Sequence, residues 1–340
     1  MGRAFANVVV FAGLALALGA CSGEDDSAAA DRPPKSVVVY AAYREAGELD
    51  NLFARFTAVT GINVIVRRGD AETVVDDVIE NRVSPAADLL LTDSVVGVSR
   101  AADEGALRPL NSQRVSDAVA DWLRDPDGFW YARGYRTTVI IFDSAMFAAA
   151  EFADYAVLAE PRFRSQLCLS SFGHSSNRAV VATLIDKYRV RPAEIIVRGW
   201  LRNLAVPILE SEQELLEAIS AGNCSVAIAS STIVASRAES LSPGVATVTP
   251  ADASIDIDAV GIARHARNPE GALVLAEWLL LPPVQARQAE TLRAYPVSAS
   301  VRAPALPDTR PAHSDARENV VRVARQQSEA SKLAERARYQ

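Results

Sequence analysis

The stretch that decides the fold is residues 36–66, which read SVVVYAAYREAGELDNLFARFTAVTGINVIV. Its first five residues form a continuous apolar run, which predicts a strand buried on both faces, as in a parallel sheet. One apolar helix face follows at helical spacing, made of Leu49, Leu52, Phe53, Phe56 and Val59. Gly61 ends this helix, and residues 62–66 predict a second strand. A strand, a helix and a further strand in this order predict a βαβ unit.

The same alternation continues along the chain. Further helices are predicted over 71–81, 94–104, 179–188, 211–221 and 269–281, and further strands over 88–92, 139–142, 167–170, 225–229 and 260–263. Residues 314–338 predict a polar helix with few apolar anchors that lies on the surface. The pattern describes two doubly wound α/β units. Such sheets bind ligands at the carboxyl ends of their strands, so we expect a cleft lined by the loops after Tyr40, Thr92, Ser170 and Ala229.

The first residues predict export and a lipid anchor. Arg3 precedes an apolar segment from Val8 to Leu18 that is too short to span a bilayer comfortably. Small residues then lead directly into Cys21, which resembles the lipobox of bacterial lipoproteins. We therefore predict a signal peptide at 1–20, acylation of Cys21 and a flexible tether over 21–36. The alternative is a plain signal peptide followed by a coincidental cysteine.

Composition excludes several classes of protein. The chain has 340 residues, of which 49% are hydrophobic, and a formal net charge of −7. It is therefore too apolar for disorder, and its charge argues against a nucleic-acid partner. Cys168 and Cys224 are 56 residues apart, and an isolated pair in an exported protein is usually a disulfide. Two free buried thiols are the alternative.

Short segments spread over residues 37–300 carry the most specific pattern of the sequence. They are Val39-Tyr40, 56–64, 84–92, 123–128, Arg136, 168–171, 222–228, 265–270 and 295–297. In this order they resemble the ferric-ion-binding branch of the bacterial periplasmic solute-binding proteins. The resemblance implies a periplasmic binding protein type II fold, two lobes joined by a hinge. It also implies that Cys168 and Cys224 are bonded, and that the protein brings a solute to an ABC importer without performing chemistry on it.

On this basis we predict the division of the chain. Lobe 1 comprises residues 37–137 plus 256–295, and lobe 2 comprises residues 138–255 plus 296–340, including the C-terminal helix. The hinge is expected near Arg136 and near residues 256–260. The protein is predicted to be a periplasmic, lipid-anchored monomer without a cofactor.

Most of the residues with which this family binds metal are replaced in this sequence. The positions of its tyrosines fall on Ser176, Thr232 and Ile233, and that of a histidine falls on Arg44, whereas a carboxylate used by some members has a counterpart in Asp93. Iron(III) prefers anionic oxygen. Because isoleucine cannot ligate and arginine would repel the ion, we predict no directly bound metal. Direct iron(III) binding is kept as the alternative.

The residues that remain at the cleft predict a different ligand. The predicted ligand-binding set is Tyr40, Tyr43, Arg44, Asp93, Arg136, Ser176, Asn177, Ser231 and Thr232. Guanidinium groups among hydroxyls and an amide are typical of sites for carboxylates or phosphates. We therefore predict a small anionic or polyhydroxylated solute, or a metal chelated by an organic ligand. Alternatively, Arg44 forms a salt bridge with Glu45 or Asp93 between the lobes, and the hydroxyls only fill space.

The sequence leaves two other classes of function open, a hydrolase and an envelope sensor or adaptor. Residues 173–177 resemble the nucleophile elbow of hydrolases, which would make Ser175 a nucleophile served by His265 or His313. The closing glycine of that motif is absent, and we predict no catalytic residue. An envelope sensor or adaptor lipoprotein built on a solute-binding scaffold is the third possibility, because scaffolds are reused.

Overall fold

The computed structural model describes residues 36–42, 47–298, 300–302 and 316–340, without the side chains of Glu48 and residues 316–319. The described residues lie in one compact unit. None of the described helices combines the length and the apolar character that crossing a bilayer requires.

Strands and helices alternate over most of the chain. The strands are β1 (Ser36–Ala41), β2 (Asn63–Arg68), β3 (Leu89–Thr92), β4 (Leu107–Arg108), β5 (Trp130–Asp143), β6 (Leu167–Cys168), β7 (Val226–Ser230), β8 (Val245–Val248), β9 (Ile255–Ala263) and β10 (Tyr295–Pro296). The helices are α1 (Gly47–Thr60), α2 (Ala71–Glu80), α3 (Val95–Asp103), α4 (Gln113–Ala118), α5 (Ser175–Tyr188), α6 (Val190–Arg202), α7 (Glu212–Ser220), α8 (Ser231–Ser236), α9 (Pro269–Trp278), α10 (Pro282–Leu292), α11 (Ala316–Arg325) and α12 (Gln327–Ala337).

One long strand runs through both halves of the molecule. The strand order is β2-β1-β3-β9-β5-β7-β6, in which β1 is parallel to β2 and β3, and β6 is parallel to β7. Residues 130–137 of β5 pair with β9, whereas residues 138–143 pair with β7 and β8. We call the strands on the β9 side, with their helices, the first half, and those on the β7 side the second half.

Each half has its own hydrophobic packing. The first half is built on one core that contains Val39, Leu90 and Val260. In the second half, Ile140 and Ile228 belong to one cluster, and their neighbours Ile141 and Ala229 belong to another. Since successive side chains of a strand point to opposite faces, this half-sheet is covered on both sides.

The predicted disulfide is present. Cys168 at the end of β6 is bonded to Cys224 just before β7, with the Cα atoms 5.9 Å apart. The bond holds two neighbouring parallel strands of the second half together.

Several predicted elements are correct, and three expectations were wrong. The strand at β1 and the helices α1, α2 and α3 lie within a few residues of their predicted bounds. Val59, however, is 75% exposed and does not belong to the buried face of α1. The helix predicted over 269–281 ends at Trp278, and Pro282 and Pro283 begin a separate helix, α10, which was not predicted; proline is well tolerated at the first positions of a helix.

The third wrong expectation concerns the C-terminal segment. It forms two helices rather than one, and they are not confined to the surface. Val320 and Ala324 of α11 pack in the core of the first half, whereas Leu333 of α12 is fully buried in the second. The polar composition misled the prediction, because small alanines supply much of the buried face.

Candidate functional site

Two adjoining cavities lie where the halves meet. Their volumes are about 540 and 660 Å³, and Ala71, Asp93, Ser175 and Arg178 line both. Asp93 follows the carboxyl end of β3, and Ser175 begins α5 after the loop that follows β6. This arrangement agrees with the expectation that loops at the carboxyl ends of strands form the ligand cleft, and the volumes suit a small molecule.

The second half contributes the start of α5. His174 precedes the helix in an extended conformation and makes no side-chain cap, so the first-turn N–H groups donate no hydrogen bond to its ring. The His174 Nε2 atom lies instead 3.0 Å from the carbonyl oxygen of Glu210. Arg178 donates to the carbonyl of Gly173 and lines both cavities. This side of the cleft is therefore rich in hydrogen-bond donors.

The first half contributes a cluster of carboxylates around one guanidinium. The register of β5 and β9 sets Arg136 opposite Asp256. Arg136 Nη2 lies 3.1 Å from Asp258 Oδ1 and also donates to the Asp93 carbonyl, and Arg136 Nε lies 3.6 Å from Asp256 Oδ2. These ion pairs occupy much of the guanidinium, so Arg136 holds acidic side chains at the hinge strands.

Burial changes the titration of this cluster. It raises the pKa of Asp93 to about 6, with a further rise from the charge of Asp256 and an opposing effect of Arg136. Burial likewise raises the pKa of Asp256, while the Arg136 guanidinium lowers it. Three carboxylates share one arginine, so the cluster is negative when all of them are ionised.

Four other predicted residues line neither cavity, and hydrogen bonds within the chain hold three of their side chains. The Ser176 hydroxyl donates to Glu212 Oε1 at 2.8 Å, and Asn177 Nδ2 donates to Ser170 Oγ at 2.9 Å. Ser231 Oγ accepts from the Thr137 amide at 3.2 Å. Thr232 Oγ1 is buried, and no described residue hydrogen-bonds to it. These contacts fix the loops that follow β6 and β7.

The remaining predicted residues lie elsewhere. Tyr40 is almost fully buried and its hydroxyl donates to the carbonyl of Pro85 at 3.0 Å, away from both cavities. Tyr43, Arg44 and Cys21 lie outside the described residues. Sequence reasoning missed Arg178 as a cleft residue. Its position as the fourth residue of α5, about one turn from Ser175, was the available signal.

The geometry defines a class of protein. Two half-sheets joined by one continuous strand, with polar cavities between them, are typical of receptors that hold a small solute. Within the described chain, no group of three or more His, Cys, Asp or Glu side chains is arranged to hold a metal ion.

Comparison with known proteins identifies the family. Residues 84–316 match the family described as bacterial extracellular solute-binding protein, and the chain belongs to it. It is similar to iron uptake protein A1 of Synechocystis, with 27% identity over 313 residues, 88% of this chain and 86% of the relative. Iron uptake protein A2 of the same organism is 24% identical over 72% of this chain and 74% of its own length. Among solved structures, Trichodesmium FutA in complex with iron and citrate matches with a TM-score of 0.78 at 23% identity, over 90% of this chain and all of that one.

These comparisons confirm the predicted family, the type II fold and the role of a receptor for an ABC importer. The protein is a solute-binding protein rather than an enzyme, so the hydrolase alternative is wrong. Ser175 is the first residue of α5, and its side chain lies near the Asp256 carboxyl, whose pKa it lowers. His265 is exposed at the start of the α9 region, and His313 lies outside the described residues.

Proposed function

We propose that this receptor is anchored through acylated Cys21 and binds an anionic organic solute. The favoured solute is a ferric ion already chelated by a polycarboxylate. The predicted lobes, 37–137 plus 256–295 and 138–255 plus 296–340, would close over it by rotation about β5 and β9. Contacts made only in the closed state would let the importer distinguish the loaded receptor from the empty one.

The composition of the cleft wall carries the proposal. Arg178 and the first turn of α5 offer positive charge and N–H donors, which favour an oxyanion on that side of the cleft, whereas the carboxylates Asp70, Glu72, Asp93 and Glu210 also line its wall. No tyrosine is among the described residues that line the two cavities. A bare ferric ion needs several anionic oxygens from the protein, whereas a chelate brings its own and needs only hydrogen-bonding partners.

The names of the relatives support iron as the metal. Two curated relatives are named iron uptake proteins, and one structural neighbour holds both iron and citrate. Those are properties of those proteins. They make ferric citrate the first probe to test, with citrate alone and ferric nitrilotriacetate as comparisons.

The test combines calorimetry with native mass spectrometry. We expect ferric citrate to bind and to raise the melting temperature more than citrate alone, and the retained mass to contain both iron and citrate. Arg178→Gln removes a charged donor from the cleft and is expected to weaken binding about tenfold. The control is Arg82→Gln, whose side chain is 77% exposed and pairs with Glu80.

Two results would overturn the proposal. One is a retained mass that contains iron without any organic ligand, which would establish direct iron(III) binding. The other is the absence of binding with all three probes.

A further inference from the structure

A third cavity lies within the first half, and the residues that line it are typical of an anion site. It is small, about 60 Å³, and lies between α1, α10 and β5. Its wall includes six polar side chains, which are Asn51, Arg55, Arg133, Arg287, Gln288 and Thr291. We call it the arginine pocket. A cavity of this size holds about four to six water-sized groups, which matches an oxyanion.

The floor of the arginine pocket is built from buried groups. Arg133 on β5 is 1% exposed, and its Nη1 atom donates to Gln288 Oε1 at 2.7 Å. The Gln288 amide is itself fixed, because its Nε2 atom donates to the carbonyl of Leu279 at 2.9 Å. Gln288 is neutral, so this contact orients the guanidinium without cancelling its charge.

Two further arginines form the rim. Arg55 projects from α1 and Arg287 from α10, and both are exposed. Arg287 pairs with Glu290 at 3.8 Å, and the Glu290 side chain is 61% exposed, so this ion pair is weak. None of the described residues that line this pocket is acidic. Three guanidinium groups on the wall of one small cavity create a positive potential that attracts an anion.

We propose that the arginine pocket binds an oxyanion, a carboxylate or a phosphate-type group. Leu49 and Leu292 line both this pocket and the larger cleft cavity, so the two sites adjoin. The oxyanion is either a free anion or a carboxylate arm of the solute in the cleft. Arg133, oriented by Gln288, would bind it at the floor, and Arg55 and Arg287 would close over it. This inference does not depend on which solute the cleft takes.

The experiment titrates the full chain with sodium phosphate at constant ionic strength and measures heat and melting temperature. We expect saturable binding by the wild type and a loss of about tenfold in affinity for each of Arg55→Gln and Arg287→Gln. Both substitutions are at the exposed rim, so the variants are expected to fold. Arg133 is not substituted because it is buried, and its loss would disturb the fold. Arg82→Gln is again the control and should bind phosphate like the wild type.

Competition with ferric citrate then distinguishes a free oxyanion from a carboxylate arm of the solute in the cleft. If phosphate binds without changing the affinity for ferric citrate, the pocket takes a free oxyanion. If the two compete and Arg287→Gln weakens both, the pocket takes a carboxylate of the solute. The proposal is overturned if phosphate gives no saturable signal, or if both rim variants bind it as tightly as the wild type.

Discussion

Asp93 allows the electrostatics of the cleft to be tested directly. Its pKa is raised from the ordinary 3.8 to about 6 because burial disfavours the ionised form. A carboxyl group whose folded pKa is raised stabilises the native state at low pH, and this stabilisation is lost as the pH rises through 6. Asp93→Asn replaces the group with a neutral side chain of the same shape and abolishes the effect.

The magnitude follows from the two pKa values. The full linkage free energy between them is about 3 kcal/mol. When the pH falls from 7.5 to 5, protonation of Asp93 raises the unfolding free energy of the wild type by about 1.4 kcal/mol. The same change of pH has no such effect on Asp93→Asn, which lacks the titrating group. The wild type should therefore gain about that amount of unfolding free energy relative to the variant on acidification.

The assay is urea unfolding at both pH values, followed by tryptophan fluorescence. Trp130 reports on the first half and Trp200 on the second. Asp117→Asn, on the exposed surface of α4, is the control and should track the wild type at both pH values. A difference between wild type and Asp93→Asn that stays constant from pH 7.5 to pH 5 would refute the reasoning.

Three further predictions concern the disulfide, the packing of α12 and the lipid anchor. Replacing Cys168 and Cys224 by alanine should lower the unfolding free energy by about 4 kcal/mol, because the closed loop of 56 residues no longer restrains the unfolded chain; a loss under about 1 kcal/mol in urea unfolding would contradict this. Leu333→Ala should cost about 2–5 kcal/mol through a cavity in the second half, whereas Val59→Ala, at a largely exposed position, should cost little, and equal melting temperatures of the two variants would disprove the packing of α12. Cys21→Ser should move the protein from the membrane fraction to the soluble envelope fraction, and unchanged fractionation would exclude acylation of Cys21 as the anchor.

Much of the fold could be predicted because its signals are local. The apolar run of β1 and the periodic face of α1 act over a few residues, and both survive in the structure. Pro282 and Pro283 were ambiguous, since proline both ends one helix and begins another. Whether a second helix follows depends on the residues after them, which the prediction did not weigh.

The site could be predicted only in part because its partners are distant in sequence. Arg136 was expected to face an anionic ligand, yet its guanidinium contacts Asp258, 122 residues away. That contact depends on the pairing of β5 with β9, which no local pattern reveals. Asp93 lines both cavities, because the residue after a parallel strand lies at the binding edge of the sheet wherever the strand pairs, and its contact with a ligand stays a prediction.

The position of β9 has a consequence for the order of assembly. It inserts between β3 and β5, although more than a hundred residues separate it in sequence from the end of β5. During synthesis from the N-terminus, β3 therefore has one unpaired edge until residues 255–263 are made, whereas β7 and β8 can already pair with their end of β5, and β6 with β7. The half that is translated first is completed last, and its open strand edge can pair with other chains until β9 covers it.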